Sequence, residues 1–156
     1  MTPFDRYFAV GERYSLGSHR FDADAIVAFA RKYDPQRFHV DAEAAKNSIF
    51  GGLCASGWHT TAIWMKKNME HQATLFAKWR DTGLPAPEFG PSPGFRNLRW
   101  LRPVFAGETI TFYLTVSGGR PLASRPGWHL MEMIGEAETE DGKPVLRFEP
   151  AVMIRF

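Results

Sequence analysis

The chain has one cysteine, Cys54, which excludes an intramolecular disulfide framework and any zinc site built from several thiolates. Its five histidines, His19, His39, His59, His71 and His129, are scattered and form no His-x-x-x-His pair, so no metal site is expected. No window approaches the roughly 18 apolar residues of a spanning helix. The N-terminal Met1-Thr2-Pro3-Phe4-Asp5-Arg6 is charged and lacks the apolar stretch of a signal peptide. Charge of one sign is scarce too: 19 basic against 17 acidic residues leave +2, too little and too interspersed for a nucleic-acid footprint. Neither Gly-x-Gly-x-x-Gly nor a Walker pattern occurs, and Ser56-Gly57 lacks the preceding Gly-x of a nucleophile elbow. Repeats and low-complexity tracts are absent. These absences together predict a cytoplasmic protein with no metal, no membrane and no nucleic-acid partner.

What is present fits one domain over residues 1–156, within the usual range of roughly 100–200 residues. Tyr14 to Phe21 has strand character, and Asp22 stands where a helix N-cap belongs. Ile26, Phe29, Ala30 and Tyr33 follow at helical spacing, until Asp34-Pro35 stops the helix, because the residue before a proline leaves the α region. Asp41 to Lys46 reads as a short capped helix. A long helix is expected from about Ser56 to Trp79, with Trp58, Ala62, Met65, Met69, Phe76 and Trp79 as its buried stripe. Gly83 to Gly94, with four prolines and three glycines, reads as a loop or flap without regular structure. Four strands are expected after it, at Arg96–Arg102, Thr109–Val116, Trp128–Glu138 and Val145–Phe156, separated by Gly107-Glu108, Gly118-Gly119 and Asp141-Gly142. Helices followed by an antiparallel sheet make an α+β domain.

Two stretches could carry chemistry. In Tyr33-Asp34-Pro35-Gln36-Arg37-Phe38-His39 a carboxylate and an imidazole are held five residues apart across a proline loop. Converging, they could hold a water and move its proton; equally, Asp34 could cap a turn and His39 be a hydrogen-bonded core histidine. In Phe50-Gly51-Gly52-Leu53-Cys54-Ala55-Ser56-Gly57-Trp58, free N–H groups at a helix N-terminus could bind a developing oxyanion, or the glycines could simply permit a tight turn. Both pairs of readings stay open on spacing alone. Cys54 reads as a buried thiol, since His59 points elsewhere along the helix. Arg96, Arg99 and Arg102 read as the exposed side of a strand, with phosphate binding as the rival.

The sequence resembles the MaoC-like dehydratases, the (R)-specific enoyl-CoA hydratase branch of the hotdog-fold superfamily. Three blocks carry the likeness: Phe29 to Asp41, with the Asp-to-His spacing of the hydratase motif; Phe50 to Gly57, like the Phe-Gly turn into the central helix; and Leu98 to Thr109, with Arg102-Pro103-Val104 and Gly107-Glu108-Thr109. The resemblance implies a long helix wrapped by a curved antiparallel sheet. It implies that Asp34 and His39 are the catalytic pair, that Gly57 holds the thioester oxygen, and that Ser56 and Phe50 join it in binding substrate. The implied reaction is reversible addition of water to a trans-2-enoyl-CoA, giving an (R)-3-hydroxyacyl-CoA, with no cofactor beyond the coenzyme A of the substrate. A homodimer or dimer of dimers is implied as well. Gln36, Arg37 and Ser56 stand where the family usually has Asn, Pro and often His. Two alternatives follow: a non-catalytic acyl-thioester binding module and, ranked below it, an acyl-CoA thioesterase. Trp58, Trp64 and Met65 are candidates for shortening the acyl pocket, and the Gly83–Gly94 segment for capping it.

Overall fold

A computed structural model describes residues Met1–Phe156. A short helix α1 (Pro3–Tyr7) precedes strand β1 (Arg13–Arg20). Helices α2 (Ala23–Tyr33), α3 (Arg37–Val40) and α4 (Ala42–Lys46) lead to α5 (Gly57–Asp81), 25 residues long. Strands β2 (Glu88–Phe89), β3 (Gly94–Trp100), β4 (Thr109–Pro121), β5 (His129–Thr139) and β6 (Pro144–Arg155) complete the chain. All pairings are antiparallel, in the order β1-β4-β5-β6, with β2 and β3 sharing the far edge of β6. No helix is long and apolar enough to cross a membrane.

The sheet curls around α5, as the resemblance implies. Along β4, Ile110, Phe112, Leu114 and Val116 face the helix, with threonines and Tyr113 between them on the other face, the alternation a half-buried strand requires. Bulges at Ser15/Gly17 and Val116/Gly118 bend β1 and its neighbour β4. The core closes on Trp64 of α5, which is 0% exposed. Its Nε1 donates to the carbonyl of Tyr113 at 2.8 Å, and its ring meets that of Phe148 edge-on at 4.7 Å. Gly135 leaves room for both, because a Cβ there would lie 2.3 Å from Phe148 and 2.8 Å from Trp64.

Several sequence expectations change. In α5 the buried residues are His59, Thr60, Trp64 and Trp79, whereas Trp58, Met65 and Met69 of the expected stripe are 50%, 47% and 52% exposed. Apolar side chains occupy more than one face of this helix, so the 3.6-residue period fixes its existence but not its rotation. Gly118-Gly119 does not end a strand: Gly118, at φ +131°, makes the bulge, and β4 runs on to Pro121. The Gly83–Gly94 segment is not wholly irregular, since Glu88 and Phe89 pair with Arg155 and Ile154, and Gly90 N–H bonds the Met153 carbonyl. Asp22 begins α2 without a side-chain cap bond and pairs with Arg20 instead. Helix α1 is unforeseen, although Thr2, Pro3 and Asp5 form a capping box with proline in the first turn.

His59 carries the acid sensitivity of this core. Its ring stacks flat on Phe29 at 4.6 Å and meets Phe21 edge-on, and its Nδ1 is buried without a partner. Burial, with a smaller contribution from His19, pushes its pKa from 6.5 down to about 4. The unfolded chain therefore takes up a proton below about 6.5 that the folded chain refuses until about 4. Stability should fall as pH drops across that window and gain no further slope from His59 below it. Urea unfolding of the wild type and His59→Leu across the window should show a shallower loss in the variant, with a residue of slope left by His19 and His71, which burial also depresses. Identical slopes would place the sensitivity elsewhere.

Candidate active site

The turn into α5 is pinned from two sides. Cys54 N–H donates to the Phe38 carbonyl at 3.1 Å and Ala55 N–H to the Val104 carbonyl at 2.8 Å, while Cys54 bridges Phe105. This brings the α2–α3 loop, the helix N-terminus and the segment after β3 to one cleft of about 550 Å³. Asp34, His39, Phe50 and Gly57 all line it. Ser56 does not: it is 0% exposed and lies behind the carboxylate, so its expected contact with substrate gives way to a contact with Asp34.

Asp34 caps the C-terminus of α2, where Pro35 prevents continuation. Its Oδ1 accepts from Gln36 Nε2 at 2.7 Å and its Oδ2 from the Ser56 hydroxyl at 2.7 Å. Burial pulls the carboxyl upward, but these two bonds and the neighbouring His39 outweigh it and hold the pKa below the usual value. His39 Nδ1 lies 2.6 Å from the Cys54 carbonyl. A carbonyl only accepts, so Nδ1 carries a hydrogen, and in its neutral form the ring presents the Nε2 lone pair to the cleft. That Nε2 stands 3.5 Å from Asp34 Oδ2. Two acceptors thus face one point, which is the arrangement that receives both hydrogens of a single water.

The N–H groups of Gly57 and Trp58 open α5 and donate to no protein acceptor. They present the positive end of the helix to the cleft. Trp100 lies against Gly57: a Cβ at 57 would sit 2.3 Å from the indole. The indole Nε1 donates to Thr61 Oγ1 at 3.1 Å, and Thr61 bonds back to the Gly57 carbonyl. Trp58 meets Trp100 edge-on at 5.0 Å. Trp100 and Val145 are lining residues that sequence reasoning missed, and Arg102, for which phosphate binding was the rival reading, lines the cleft as well; a tryptophan two residues before Arg102-Pro103-Val104 was the available signal for the first. Of the bulky residues expected to shorten the pocket, Trp58 lines this cleft. Trp64 and Met65 line a separate apolar cavity of about 240 Å³ between α5 and the sheet.

Cys54 is buried, and burial pushes its thiol up to about 11, so at neutral pH it is a protonated packing group rather than a nucleophile.

Residues 9–126 match the profile of the MaoC-like domain. The chain belongs to the MaoC-like dehydratase family. Among solved structures it is similar to a MaoC-like dehydratase from Rhodospirillum rubrum, at 34% identity and TM-score 0.74, covering 99% of this chain and 97% of that one. It shares its fold with the (R)-hydratase from A. caviae involved in PHA biosynthesis, at 19% identity and TM-score 0.63, over 93% and 96% of the two chains. A curated relative is the uncharacterized protein YdeM of Bacillus subtilis (strain 168), 26% identical over 120 residues, 77% of each chain.

Removing the Ser56 hydroxyl takes away one of the two side-chain donors that hold Asp34 ionised. In Ser56→Ala the Asp34 carboxyl should titrate at higher pH than in the wild type, and Ser56→Thr should restore it. Carbon-detected NMR of the Asp34 carboxyl reads this directly, and an unmoved titration would remove Ser56 from the account.

Proposed function

We propose that this MaoC-like dehydratase adds water reversibly to a trans-2-enoyl-CoA, giving the (R)-3-hydroxyacyl-CoA. The observation that carries the reading is the convergence of Asp34 and His39 Nε2 on a cleft that also receives the unpartnered N–H of Gly57. Water donates one hydrogen to the Asp34 carboxylate and the other to His39 Nε2, leaving an oxygen lone pair for C3 of the enoyl group. As the C3–O bond forms, the electron pair of the double bond moves through C2 to the thioester oxygen, and the Gly57 N–H at the helix N-terminus stabilises that negative charge. The proton taken from water returns to C2 as the enolate collapses, so the hydroxyl ends on C3 and the hydrogen on C2. Dehydration runs the same steps backward. Asp34 and His39 end in their starting protonation states, and the reactants consumed are water and the enoyl thioester.

Gln36 keeps the donor that an asparagine would supply to Asp34, with one more methylene. One observation favours the second reading, a binding module without turnover: the Trp100 indole packs directly on Gly57 and narrows the turn where the thioester oxygen would rest. In assembly, we propose a homodimer, supported by the exposed Phe95, Met65, Met69 and Leu101 and by the free outer edge of β3.

Hydration of crotonyl-CoA, followed by loss of enoyl absorbance, tests the chemistry. Asp34→Asn and His39→Ala should each lower kcat by about 10²–10⁴-fold, the usual weight of a positioned acid–base group. Undiminished turnover in both would sink the assignment; tight binding of acyl-CoA by a wild type that hydrates no enoyl-CoA would establish the module; release of free thiol from saturated acyl-CoA would reveal a thioesterase.

A further inference from the structure

A nearly neutral chain carries one markedly basic edge. In β6, Leu146 and Phe148 point to the core, so Arg147 and Glu149 point away from α5. Arg99 and Arg96 of β3 sit opposite them in the register and share that outer face. Arg102, just past the strand, lines the catalytic cleft. At the other end Arg96 meets Arg120 from the end of β4 and Arg125 from the β4–β5 connection, around a surface concavity of about 490 Å³.

Of these six arginines Arg147 pairs with Glu149, and Arg96, Arg99, Arg102, Arg120 and Arg125 have no carboxylate partner. The arginine ion pairs of the molecule use Arg13, Arg20, Arg80, Arg147 and Arg155. Glu149, the one acidic residue in the concavity, accepts from Asn97 and lies 3.7 Å from Arg147, so it is already engaged. The floor between the arginines is apolar, with Leu130 and Met153 adjacent in the sheet. From Arg96 to Trp100 the strand spans ~13 Å at about 3.3 Å per residue. The row of cations therefore starts at the cleft and ends in a pocket.

We propose that Arg96, Arg120 and Arg125 bind the phosphates of coenzyme A, with the apolar floor receiving its nucleoside base. The inference rests on the acyl-CoA reading of the cleft and names the part of the molecule that holds the carrier rather than the acyl group. Guanidinium is the side chain best matched to phosphate. A concavity of this size with an apolar floor fits a small-molecule ligand; an acidic carrier protein would need a broad surface instead.

The test is a double variant, Arg120→Glu/Arg125→Glu, at two exposed positions, with Lys78→Glu on α5 as a control for charge reversal elsewhere on the surface. Calorimetry measures binding of free coenzyme A, and steady-state kinetics compare crotonyl-CoA, crotonyl-pantetheine and crotonyl-acyl carrier protein. Coenzyme A affinity should fall, and the KM for crotonyl-CoA rise, by about tenfold or more, with the difference from wild type shrinking as salt is added. The KM for crotonyl-pantetheine, which has no phosphate, should not move, and Lys78→Glu should resemble the wild type. Unchanged coenzyme A affinity overturns the proposal. So does an equal change for crotonyl-pantetheine, which would place the effect in the cleft, or a change confined to the carrier-protein substrate, which would assign the edge to an acidic protein. Coenzyme A binding needs no turnover, so a wild type that hydrates nothing overturns the hydratase reading alone.

Discussion

The fold depends on one steric fit, the seating of Trp64 in the space left by Gly135. The indole is the largest side chain in the molecule to be fully buried, and its N–H has one polar atom within reach, the Tyr113 carbonyl of β4. Together these fix both the rotation of α5 and its distance from the sheet, since a buried N–H left without its acceptor is costly. Rotating the helix would also bring the exposed methionines inward and the buried face out. The position of Gly57, about two turns earlier on the same helix, follows from that fit.

From this fixed helix N-terminus two hydrogen bonds reach across the chain. Ser56 bonds Asp34, 22 residues away, and the Cys54 carbonyl bonds His39, 15 residues away. Each serves a different end. The first stabilises a charge, the second selects a tautomer. Neither bond depends on the other's geometry, yet both anchor on the same four-residue turn, which the bridge to Phe105 and the bond to Val104 hold rigid. A loop as short as Pro35–Phe38 could not orient two polar side chains by its own conformation; it relies on the turn it touches.

Much of this was legible from residue patterns. Pro35 marked the end of α2, Asp41 did cap α4 through the N–H groups of Glu43 and Ala44, and alternation located the four long strands to within a few residues. The Asp34–His39 pair was visible as a spacing, and the resemblance chose between two readings that spacing left open. The rest depends on tertiary contacts. The rotation of α5 could not be read, because Trp58, Met65 and Met69 are as apolar as the residues that are buried. Ser56 gave no sign that it would face a carboxylate 22 positions earlier. Arg120 and Arg125 gave none that they would meet Arg96, since only the strand register brings them together.

The packing of Trp100 on Gly57 has a consequence for how this sequence can change. Any side chain at position 57 collides with the indole, and the indole is itself tethered through Thr61 to the same helical turn. A mutational path that enlarges residue 57 is open only after residue 100 has been reduced, and the reverse order passes through a distorted helix N-terminus. The two positions, 43 apart in sequence, therefore form an epistatic pair. Descendants of this chain that keep the tryptophan are bound to keep the glycine.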